Sequence, residues 1–474
     1  MVKVLTRKGV HALNGPWHPV LRAYEQAIAV MKTRPARDAT SLAYQAAVHG
    51  VGAPTAPPPD KFRSQCQHNC WYFLPWHRWY LHYFEQIVRS ILTELADARQ
   101  LVGVRKTVAS TWALPYWNYA KPGFDKIPVE FASPTRWDGT PNALFDPSRL
   151  ADVNDRIAGV NRLVSVPGPG VLQLPFSATS TLVATFGGSA SGWHHFREPG
   201  ATTGGLEGTP HNDVHGFVGG DMWDFATAGR DPLFWLHHCN IDRYWEVRGH
   251  GSDPAGWAST KFDFRDATRQ AVRVTADGCV DPVAQLGYRY DDTEVPTPPT
   301  RALDVRRSRR AAMVGQEEPS DLEPEVVGTS DPVELRGTTI GTAVPVNDVS
   351  GQFRRTRGGA AEPRRVYLTV DDITGATNPG ISYGVYVGDA ADERLAGTIS
   401  FFGIEATEQG RHALGYTFDI TDIVAALRDQ GAWDPSDVAV SFEPIGPTTD
   451  DDRVSSRLAD VAPVTVGSVS IAYQ

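Results

Sequence analysis

The chain is poor in cysteine and methionine, with 4 of each among 474 residues. So few cysteines cannot form the disulfide framework that holds small secreted domains together. The chain also lacks an apolar run long enough to cross a membrane. Its net charge of -10 lacks the positive excess that binds nucleic acid or an anionic membrane. We therefore expect neither nucleic acid nor a membrane as a partner.

The start of the sequence has basic residues but no apolar stretch behind them, so it lacks the pattern of a signal peptide. Together with the low cysteine content, this predicts a cytoplasmic location. Export on a partner protein is left open.

Several common catalytic motifs are absent as well. The sequence has no Cys-x-x-Cys pair, no His-Glu-x-x-His helix and no Ser/His/Asp arrangement, and its acidic residues lack the spacing of a carboxylate-bridged di-iron site. What it does contain is 14 histidines, several of them at fixed offsets within aromatic, helix-patterned segments. Those offsets favour a metal site over a set of unrelated core histidines.

The sequence divides into three parts by composition. Residues 1–294 contain helical apolar spacing, which predicts a mainly α domain built as a four-helix bundle with long loops. Residues 295–332 are rich in proline and contain the basic run 306–310, so we expect an extended linker that proteases can reach. Residues 333–474 alternate between apolar and polar and predict an all-β sandwich. The clearest predicted helices are 24–31, 42–49, 76–95 and 420–427, and the clearest predicted strands are 365–370, 382–387, 395–402, 438–442 and 464–472.

Two groups of three histidines lie in the helical part. In the stretch EGTPHNDVHGFVGGDMWDFATAGRDPLFWLHHCNIDRYWE, two histidines stand four residues apart and share one face of a helix, and an adjacent pair follows on a more apolar segment. A second group lies upstream. Neutral imidazoles of this kind suit Cu, Zn, Fe or Ni, so the residues alone leave the metal open. The candidate ligands are His49, His68 and His77 in one group and His211, His215 and His238 in the other, with His237 beside His238.

The segments HNCWYFLPWHRWYLHYFE and PHNDVH…AGRDPLFWLHHCNIDRYW resemble the two copper motifs of type-3 copper proteins, which are tyrosinases, catechol oxidases and molluscan haemocyanins. The resemblance is closest to plant-type polyphenol oxidases, because Tyr288-Arg289-Tyr290 is similar to the motif that closes their core domain. The C-terminal part resembles theirs too. The resemblance implies two copper ions, one for each group of three histidines, with His237 as a neighbour rather than a ligand. It also implies phenolic small molecules and O2 as partners.

Four further residues match positions that control the chemistry or the access in this family. Glu207 and Asn212 match a carboxylate and an amide that orient a water, and together they would act as the base for the phenolic proton. Phe225 resembles the aromatic gate over the second copper, and Gly216 would leave the entrance open. Without the resemblance, Glu207 could form only a salt bridge, Asn212 could cap a turn and Phe225 could be a core residue.

The cysteines depart from the plant pattern, because Ala53 stands where plant enzymes have the cysteine that forms a thioether with the second histidine. Cys66 stands two residues before His68 instead, as in fungal tyrosinases and molluscan haemocyanins. The resemblance thus implies a Cys66–His68 thioether. A plain thiol, or a strained pairing with Cys70, is the alternative.

In the family, the C-terminal domain covers the copper site and inserts one residue into its mouth. Phe401 and Phe402 are the candidates here, although two adjacent phenylalanines could equally belong to the core and the surface of a strand. The prediction is a latent chain that an activating protease switches on by cutting the linker.

The resemblance therefore predicts a dicopper polyphenol oxidase, a tyrosinase, that converts o-diphenols to o-quinones while reducing O2 and that also hydroxylates monophenols. The alternatives are a catechol or o-aminophenol oxidase without hydroxylation, a haemocyanin-like oxygen carrier and a zinc-loaded structural protein. The sequence does not indicate the preferred phenol or the oligomeric state.

Overall fold

The computed structural model describes residues 4–51, 60–156, 169–190, 202–249, 255–294, 323–347, 354–357, 360–363, 365–389, 393–404, 413–445 and 461–474. Within these ranges a helical domain is followed by a β-rich domain of packed sheets, so the predicted fold class is confirmed. Ala53 and most of the predicted linker, with its basic run, lie outside the described residues.

The helical domain carries its longest helices at the predicted places. The predicted helix 42–49 coincides with the observed one, and the predicted helix 76–95 lies within a longer one. The helices described here are α1 (Pro19–Thr33), α2 (Leu42–His49), α3 (Phe73–Asp97), α4 (Lys106–Thr111), α5 (Val129–Ala132), α6 (Ala151–Asn154), α7 (Pro169–Gln173), α8 (Asp213–Val218) and α9 (Pro232–Arg248).

Local sequence sets the starts of the helices that matter most for the site. The Ser41 hydroxyl accepts a hydrogen bond from the backbone N–H of Tyr44 at the start of α2, at 3.0 Å. The Asp231 carboxylate accepts from Leu233 N–H at 2.8 Å, and Pro232 occupies the first position of α9. These caps fix where each helix begins and therefore where its histidines lie.

Aromatic packing joins α3 to α9. The rings of Phe84 and Trp235 stack with their centroids 3.5 Å apart and 6° between their planes, and Trp76, on the same helix as Phe84, is fully buried. Burial of one such side chain stabilises the fold by about 2–3 kcal/mol. The histidines of these helices are therefore held on a rigid aromatic frame.

A buried ionic network closes the helical domain behind this frame. The parallel pair β1 (Leu5–Arg7) and β4 (Tyr288–Tyr290) brings Tyr288 and Tyr290 to Asp242 of α9, and both hydroxyls donate to its carboxylate, at 2.6 and 2.5 Å. Arg7 and Arg78 also bond to Asp242. A buried carboxylate needs such partners, so the segment Tyr288–Tyr290 holds strand β1 and helix α9 together. The hairpin β2 (Lys261–Arg265) and β3 (Ala271–Thr275) completes this domain.

In the part that the structure describes, the C-terminal domain contains two main sheets and one helix, α10 (Thr421–Asp429). The strands described are β5 (Glu325–Thr329), β6 (Val333–Leu335), β7 (Ile340–Val344), β8 (Arg354–Arg357), β9 (Ala360–Pro363), β10 (Val366–Gly375), β11 (Ser382–Val387), β12 (Arg394–Ile399), β13 (Leu414–Asp419), β14 (Val438–Ile445), β15 (Val464–Val466) and β16 (Ser468–Tyr473).

These strands form two packed sheets. One sheet has the order β5-β16-β10-β15-β6, with β13 pairing to β10, and the other has the order β12-β11-β14-β7. Alternate residues of both sheets form one apolar core, as expected for a sandwich.

Two sequence predictions need correction here. Residues 325–329 were placed in the linker, but they form β5 and pair with β16, so the sandwich begins before residue 333. The predicted strand 395–402 ends at Ile399, and the chain then turns, so Phe401 and Phe402 do not continue the ladder of β12. The proline-rich composition of residues 295–332 gave no sign of β5, and the continuous apolar run 395–402 gave no sign of where β12 ends.

The sandwich packs against the helical domain. The backbone at Thr203 pairs in parallel with Tyr416 of β13, and Val183 packs in one apolar cluster with Tyr367 and Ala472. Among the helices that the structure describes, none has both the length and the apolar character needed to span a bilayer.

Candidate metal centre

The first histidine group converges from three elements. His49 ends α2, His68 lies in the segment before α3, and His77 lies in the first turns of α3. All three are buried, and one ring nitrogen of each lies within 4.8 Å of the others. The ring centroids are 5.1–5.5 Å apart. This is the geometry of three ligands around one ion.

The second group converges in the same way. His211 lies in the irregular turn Glu207–Asn212, His215 on α8 and His238 on α9. Their ring nitrogens, together with one nitrogen of His237, also lie within 4.8 Å of one another. The structure therefore brings together the histidines of both predicted groups. Judged by the distances between ring nitrogens, His237 belongs to the second group as well.

The directions of the rings separate His238 from its neighbour. The His238 ring stacks on His77 of the first group, with 4.6 Å between centroids and 15° between planes. His237 instead stacks on the far side of His211 and lies 6.1 Å from the ring of Tyr119. His238 therefore points between the two groups, which agrees with its choice as the ligand over His237.

Backbone carbonyls fix which nitrogen of each ring faces the centre. The Nδ1 atoms of His49, His77 and His215 lie 2.8, 2.8 and 2.6 Å from the carbonyl oxygens of Phe225, Phe73 and Met222. Because a carbonyl only accepts, each Nδ1 carries the proton and each Nε2 keeps its lone pair. Oriented imidazoles of this kind are the usual metal ligands.

The donor set fits a pair of copper ions. Among the described residues, the buried Nε2 atoms of His77 and His211 have no hydrogen-bond partner, which is costly unless a ligand occupies the centre. Burial lowers the pKa of His211 to about 3 and lowers that of His77 well below its ordinary value, so both rings are neutral. Neutral, convergent and dry imidazoles suit copper.

Glu207 and Asn212 lie beside the second group but have different partners. The Glu207 carboxylate accepts from the backbone N–H of Asn69, at 2.9 and 2.8 Å. Asn212 Oδ1 accepts from His211 Nδ1 at 2.8 Å, and its Nδ2 donates to the Tyr416 hydroxyl at 3.3 Å. The hydrogen bonds to Asn69 and Tyr416 were not indicated by the sequence, and the joint role of Glu207 and Asn212 as a base stays a prediction.

Burial sets the acidity of Glu207. The side chain is 2% exposed, and desolvation raises the pKa of its carboxyl to about 8. A carboxylate with so high a pKa is a much better proton acceptor than one in water, and phenols have a pKa of roughly 10. A carboxyl with this pKa is mostly protonated at pH 7, so Glu207 can accept a proton only in the molecules in which it is ionised, and that fraction rises with pH.

Phe225 and Gly216 line the approach to the centre. The Phe225 ring lies 4.4 Å from the ring of His68 and 6.0 Å from that of His49. A Cβ at Gly216 would lie 4.0 Å from Ser382 Oγ of the sandwich. The gate role of Phe225 and the open entrance at Gly216 stay predictions.

Phe402, rather than Phe401, enters the site. Its ring stacks on His215 with 3.9 Å between centroids and 21° between planes, and it lies 4.5 Å from Phe225. The Phe401 ring points back into the core of the sandwich, 6.0 Å from Tyr383. Of the two candidates for the inserted residue, only Phe402 has the required position.

Asp213 anchors the sandwich next to the site. Its carboxylate accepts hydrogen bonds from the hydroxyls of Thr398 at 2.8 Å and Ser382 at 3.3 Å, both in the sandwich, and from Thr209 at 3.1 Å. Burial raises the pKa of this carboxyl to about 7. The sandwich therefore supplies two of the groups that make the burial of Asp213 tolerable.

Cys66 is buried beside the first group. Burial is also the main cause that raises the pKa of its thiol. The thioether with His68 stays a prediction.

Known families cover almost the whole chain. Residues 39–248 match the common central domain of tyrosinase, residues 252–302 match the polyphenol oxidase middle domain, and residues 323–474 match a domain of unknown function. The central match contains both histidine groups.

Two relatives show how far the likeness extends. The tyrosinase HcTyr1 of Hahella sp. (strain CCB-MM4) is 31% identical over 487 residues, which cover 93% of this chain and 95% of the relative. A chloroplastic polyphenol oxidase of Malus domestica is 30% identical over 64% of this chain and 53% of its own length.

Two solved structures share the fold of both domains. Latent apple tyrosinase has a TM-score of 0.62 at 22% identity and covers 100% of this chain and 98% of its own. Latent aurone synthase has a TM-score of 0.63 at 22% identity, over 99% and 90%.

The names of the plant relatives also bear on location. The relatives from Malus domestica, Vicia faba, Prunus armeniaca and Ipomoea batatas are all described as chloroplastic. They contradict the cytoplasmic location that we expected from the sequence. That expectation rested on a missing targeting pattern, which is weak physical evidence.

Proposed function

Because this chain belongs to the tyrosinase family of copper-dependent oxidoreductases, which act on phenols and O2, we propose that it oxidises o-diphenols to o-quinones and also hydroxylates monophenols. The observation that carries this proposal is the stacked pair His77 and His238, which joins two groups of neutral histidines into one buried centre. The oxygen-carrier alternative has less support, since the relatives named above are oxidases.

His49, His68 and His77 would hold the first copper ion, and His211, His215 and His238 would hold the second. Such a pair would supply the redox chemistry that couples oxidation of the phenol to reduction of O2. The protein fixes the imidazoles through their Nδ1 hydrogen bonds, keeps them neutral by burial and excludes water from the centre.

Glu207 takes the proton of the phenol. Its buried side chain lies four residues before His211, beside the second group, and accepts the proton in its ionised form. Asn212 assists as a positioning residue, because its side chain orients His211. In the intact chain its amide also donates to Tyr416, so the sandwich holds part of this machinery in place.

The intact chain is latent, because Phe402 occupies the face of His215 that a phenol ring would use. Cleavage by a protease between residues 295 and 322, before β5 begins, releases the sandwich and opens the approach to the site. The catechol or o-aminophenol oxidase alternative shares this latency and differs only in lacking hydroxylation.

The test combines copper content with turnover in the full-length chain. We expect two copper ions per chain by elemental mass spectrometry, low O2 consumption with dopamine before limited proteolysis, and high consumption afterwards. Tyramine turnover separates a tyrosinase from a catechol oxidase. A chain that binds two copper ions and O2 reversibly, yet turns over no phenol after proteolysis, would contradict the proposal and indicate an oxygen carrier.

A further inference from the structure

Tyr416 of β13 extends from the sandwich to the second histidine group. Its hydroxyl donates to the carbonyl oxygen of Ser400 at 2.7 Å, and its oxygen accepts from Nδ2 of Asn212 at 3.3 Å. Because a carbonyl oxygen only accepts, the hydroxyl hydrogen belongs to the bond with Ser400, and Asn212 must be the donor in the other bond. Both side chains are buried. The sandwich therefore binds directly to the residue that follows the candidate ligand His211.

Strand β13 contacts the chain on both sides of Glu207. Four residues before Glu207, the backbone N–H of Thr203 donates to the carbonyl oxygen of Gly415 at 3.2 Å. Directly after Glu207, a Cβ at Gly208 would lie 3.1 Å from Cε1 of Tyr416. The ring of Tyr416 thus packs closely on a position that has no side chain. The segment that carries Glu207 is therefore covered by β13 as long as the sandwich is docked.

The amide of Asn212 is held at both ends. Its Oδ1 accepts from His211 Nδ1 at 2.8 Å, and its Nδ2 donates to Tyr416. An N–H that donates to Tyr416 is not free to donate to a water or a phenol beside Glu207. The bond with His211 lies within the helical domain and remains when the sandwich leaves, whereas Tyr416 leaves with the sandwich. Release of the sandwich therefore frees one donor of Asn212 without changing its other partner.

We propose that Tyr416 is a positioning residue that acts through Asn212 and restrains the hydroxylation of monophenols while the sandwich is docked. This inference rests on the proposed function, since it concerns the pair Glu207 and Asn212. Phe402 then limits the entry of all phenols, and Tyr416 limits only the step that needs the base. A chain that is opened at Phe402 but not cleaved should therefore favour diphenol oxidation over monophenol hydroxylation more strongly than the cleaved chain does.

The test measures the ratio of kcat/KM for tyramine to kcat/KM for dopamine in full-length, copper-loaded chains that carry Phe402→Leu. Before proteolysis, the addition of Tyr416→Phe should raise this ratio about 5-fold, the size expected for the loss of one hydrogen bond. After proteolysis and removal of the sandwich by gel filtration, both chains should have the same ratio, because residue 416 is gone. Tyr383→Phe is the matched control, since Tyr383 is a buried tyrosine of the sandwich whose hydroxyl accepts from the N–H of Gly337 at 2.6 Å. It should leave the ratio unchanged.

A second measurement does not depend on turnover. Nuclear magnetic resonance of the full-length chain with isotope-labelled asparagine reports the exchange of the Asn212 side-chain amide with solvent. Tyr416→Phe should speed this exchange about 5-fold, and Tyr383→Phe should not change it. If the untreated chains turn over neither substrate, this rate decides, and equal rates in the wild type and Tyr416→Phe would overturn the proposal.

The outcomes for Tyr416 and for the proposed function are separate. A ratio that Tyr416→Phe does not change before proteolysis, or a difference that persists after the sandwich is removed, would overturn the role of Tyr416. The cleaved wild-type chain tests the proposed function alone. If it hydroxylates no tyramine, the proposed hydroxylation fails and the restraint by Tyr416 fails with it.

Discussion

The ring of Phe402 lies parallel to the ring of His215, with 3.9 Å between centroids and 21° between planes. One residue belongs to the sandwich and the other to the candidate copper site, and 186 positions of sequence separate them. In the proposed function, this contact makes latency a property of the folded chain itself. Removing this contact by mutation should therefore change the activity of the chain that no protease has cut.

Phe402→Leu should raise the activity of the untreated chain about 10-fold or more, because it removes the stacked ring and keeps an apolar side chain. The measurement is the ratio of dopamine oxidation before and after limited proteolysis. Phe401→Leu is the matched control, since Phe401 faces the core of the sandwich, and it should lower only the melting temperature. An unchanged ratio in Phe402→Leu would contradict the role of Phe402.

Gly403→Ala should also activate the untreated chain. A Cβ at Gly403 would lie 2.4 Å from Cζ of Phe225, which no Cβ can do without displacing the sandwich or the ring. Gly431→Ala provides the control, because Gly431 has a similar φ of +72° but nothing within 4 Å of its Cβ position. Both changes add about 1–2 kcal/mol of backbone strain, so only the contact with Phe225 distinguishes them. Equal activities in the two variants would refute this contact.

Thr398→Val should weaken the docking of the sandwich. The change removes one hydroxyl donor from the buried carboxylate of Asp213, at a cost of about 1–3 kcal/mol. We expect faster cleavage by protease and a higher activity of the untreated chain. Thr369→Val removes a hydroxyl pair between two strands of the same domain and should change neither quantity. Identical cleavage rates in both variants would argue against Asp213 as the anchor.

Glu207→Gln should lower the turnover of tyramine relative to dopamine. The amide keeps the shape of the side chain but no longer takes the phenolic proton, and such a loss costs about 10²-fold or more in rate. The control is Glu130→Gln in α5, a buried carboxylate that accepts from the backbone N–H of Trp17 at 2.5 Å. If the ratio of the two turnovers is the same in both variants, Glu207 is not the base.

Tandem mass spectrometry of the copper-loaded chain should find the peptide with Cys66 and His68 lighter by two hydrogens. The reason is that Cys66 stands two residues before His68, the arrangement that resembles the thioether-forming pair of fungal tyrosinases and molluscan haemocyanins. Cys279, which is also buried but belongs to the domain's outer turn, serves as the unmodified control. A peptide of unaltered mass would show that no thioether forms.

The elements that hold the candidate ligands could be predicted from the sequence because their signals are local. Caps such as Ser41 and Asp231, together with helical apolar spacing, determine α2 and α9 without help from distant residues. The alternation in the C-terminal part likewise predicted β10, β11, β12 and β14, and it merged β15 and β16 into one strand, but it did not predict β5, β6, β7, β8, β9 or β13. β5 could not be predicted from local alternation, because it is defined by its pairing with β16, whose residues lie far away in the sequence.

The covering of the site could not be predicted in the same way. Alternation implied that Phe401 and Phe402 face opposite sides, but only the packed domains show which of them meets His215. Asp213 and Tyr416 have no local pattern at all. Their roles come from contacts between the two domains, and such contacts leave no periodicity in a sequence.

The Glu207 carboxylate is held by the N–H of Asn69, and Asn69 directly follows His68. In the proposed function, a ligand of the first ion and the proton acceptor for the substrate are thus joined through one peptide unit. We expect a molecule without the first ion to hold Glu207 less accurately. Half-loaded molecules should therefore be inactive as hydroxylases rather than merely slow.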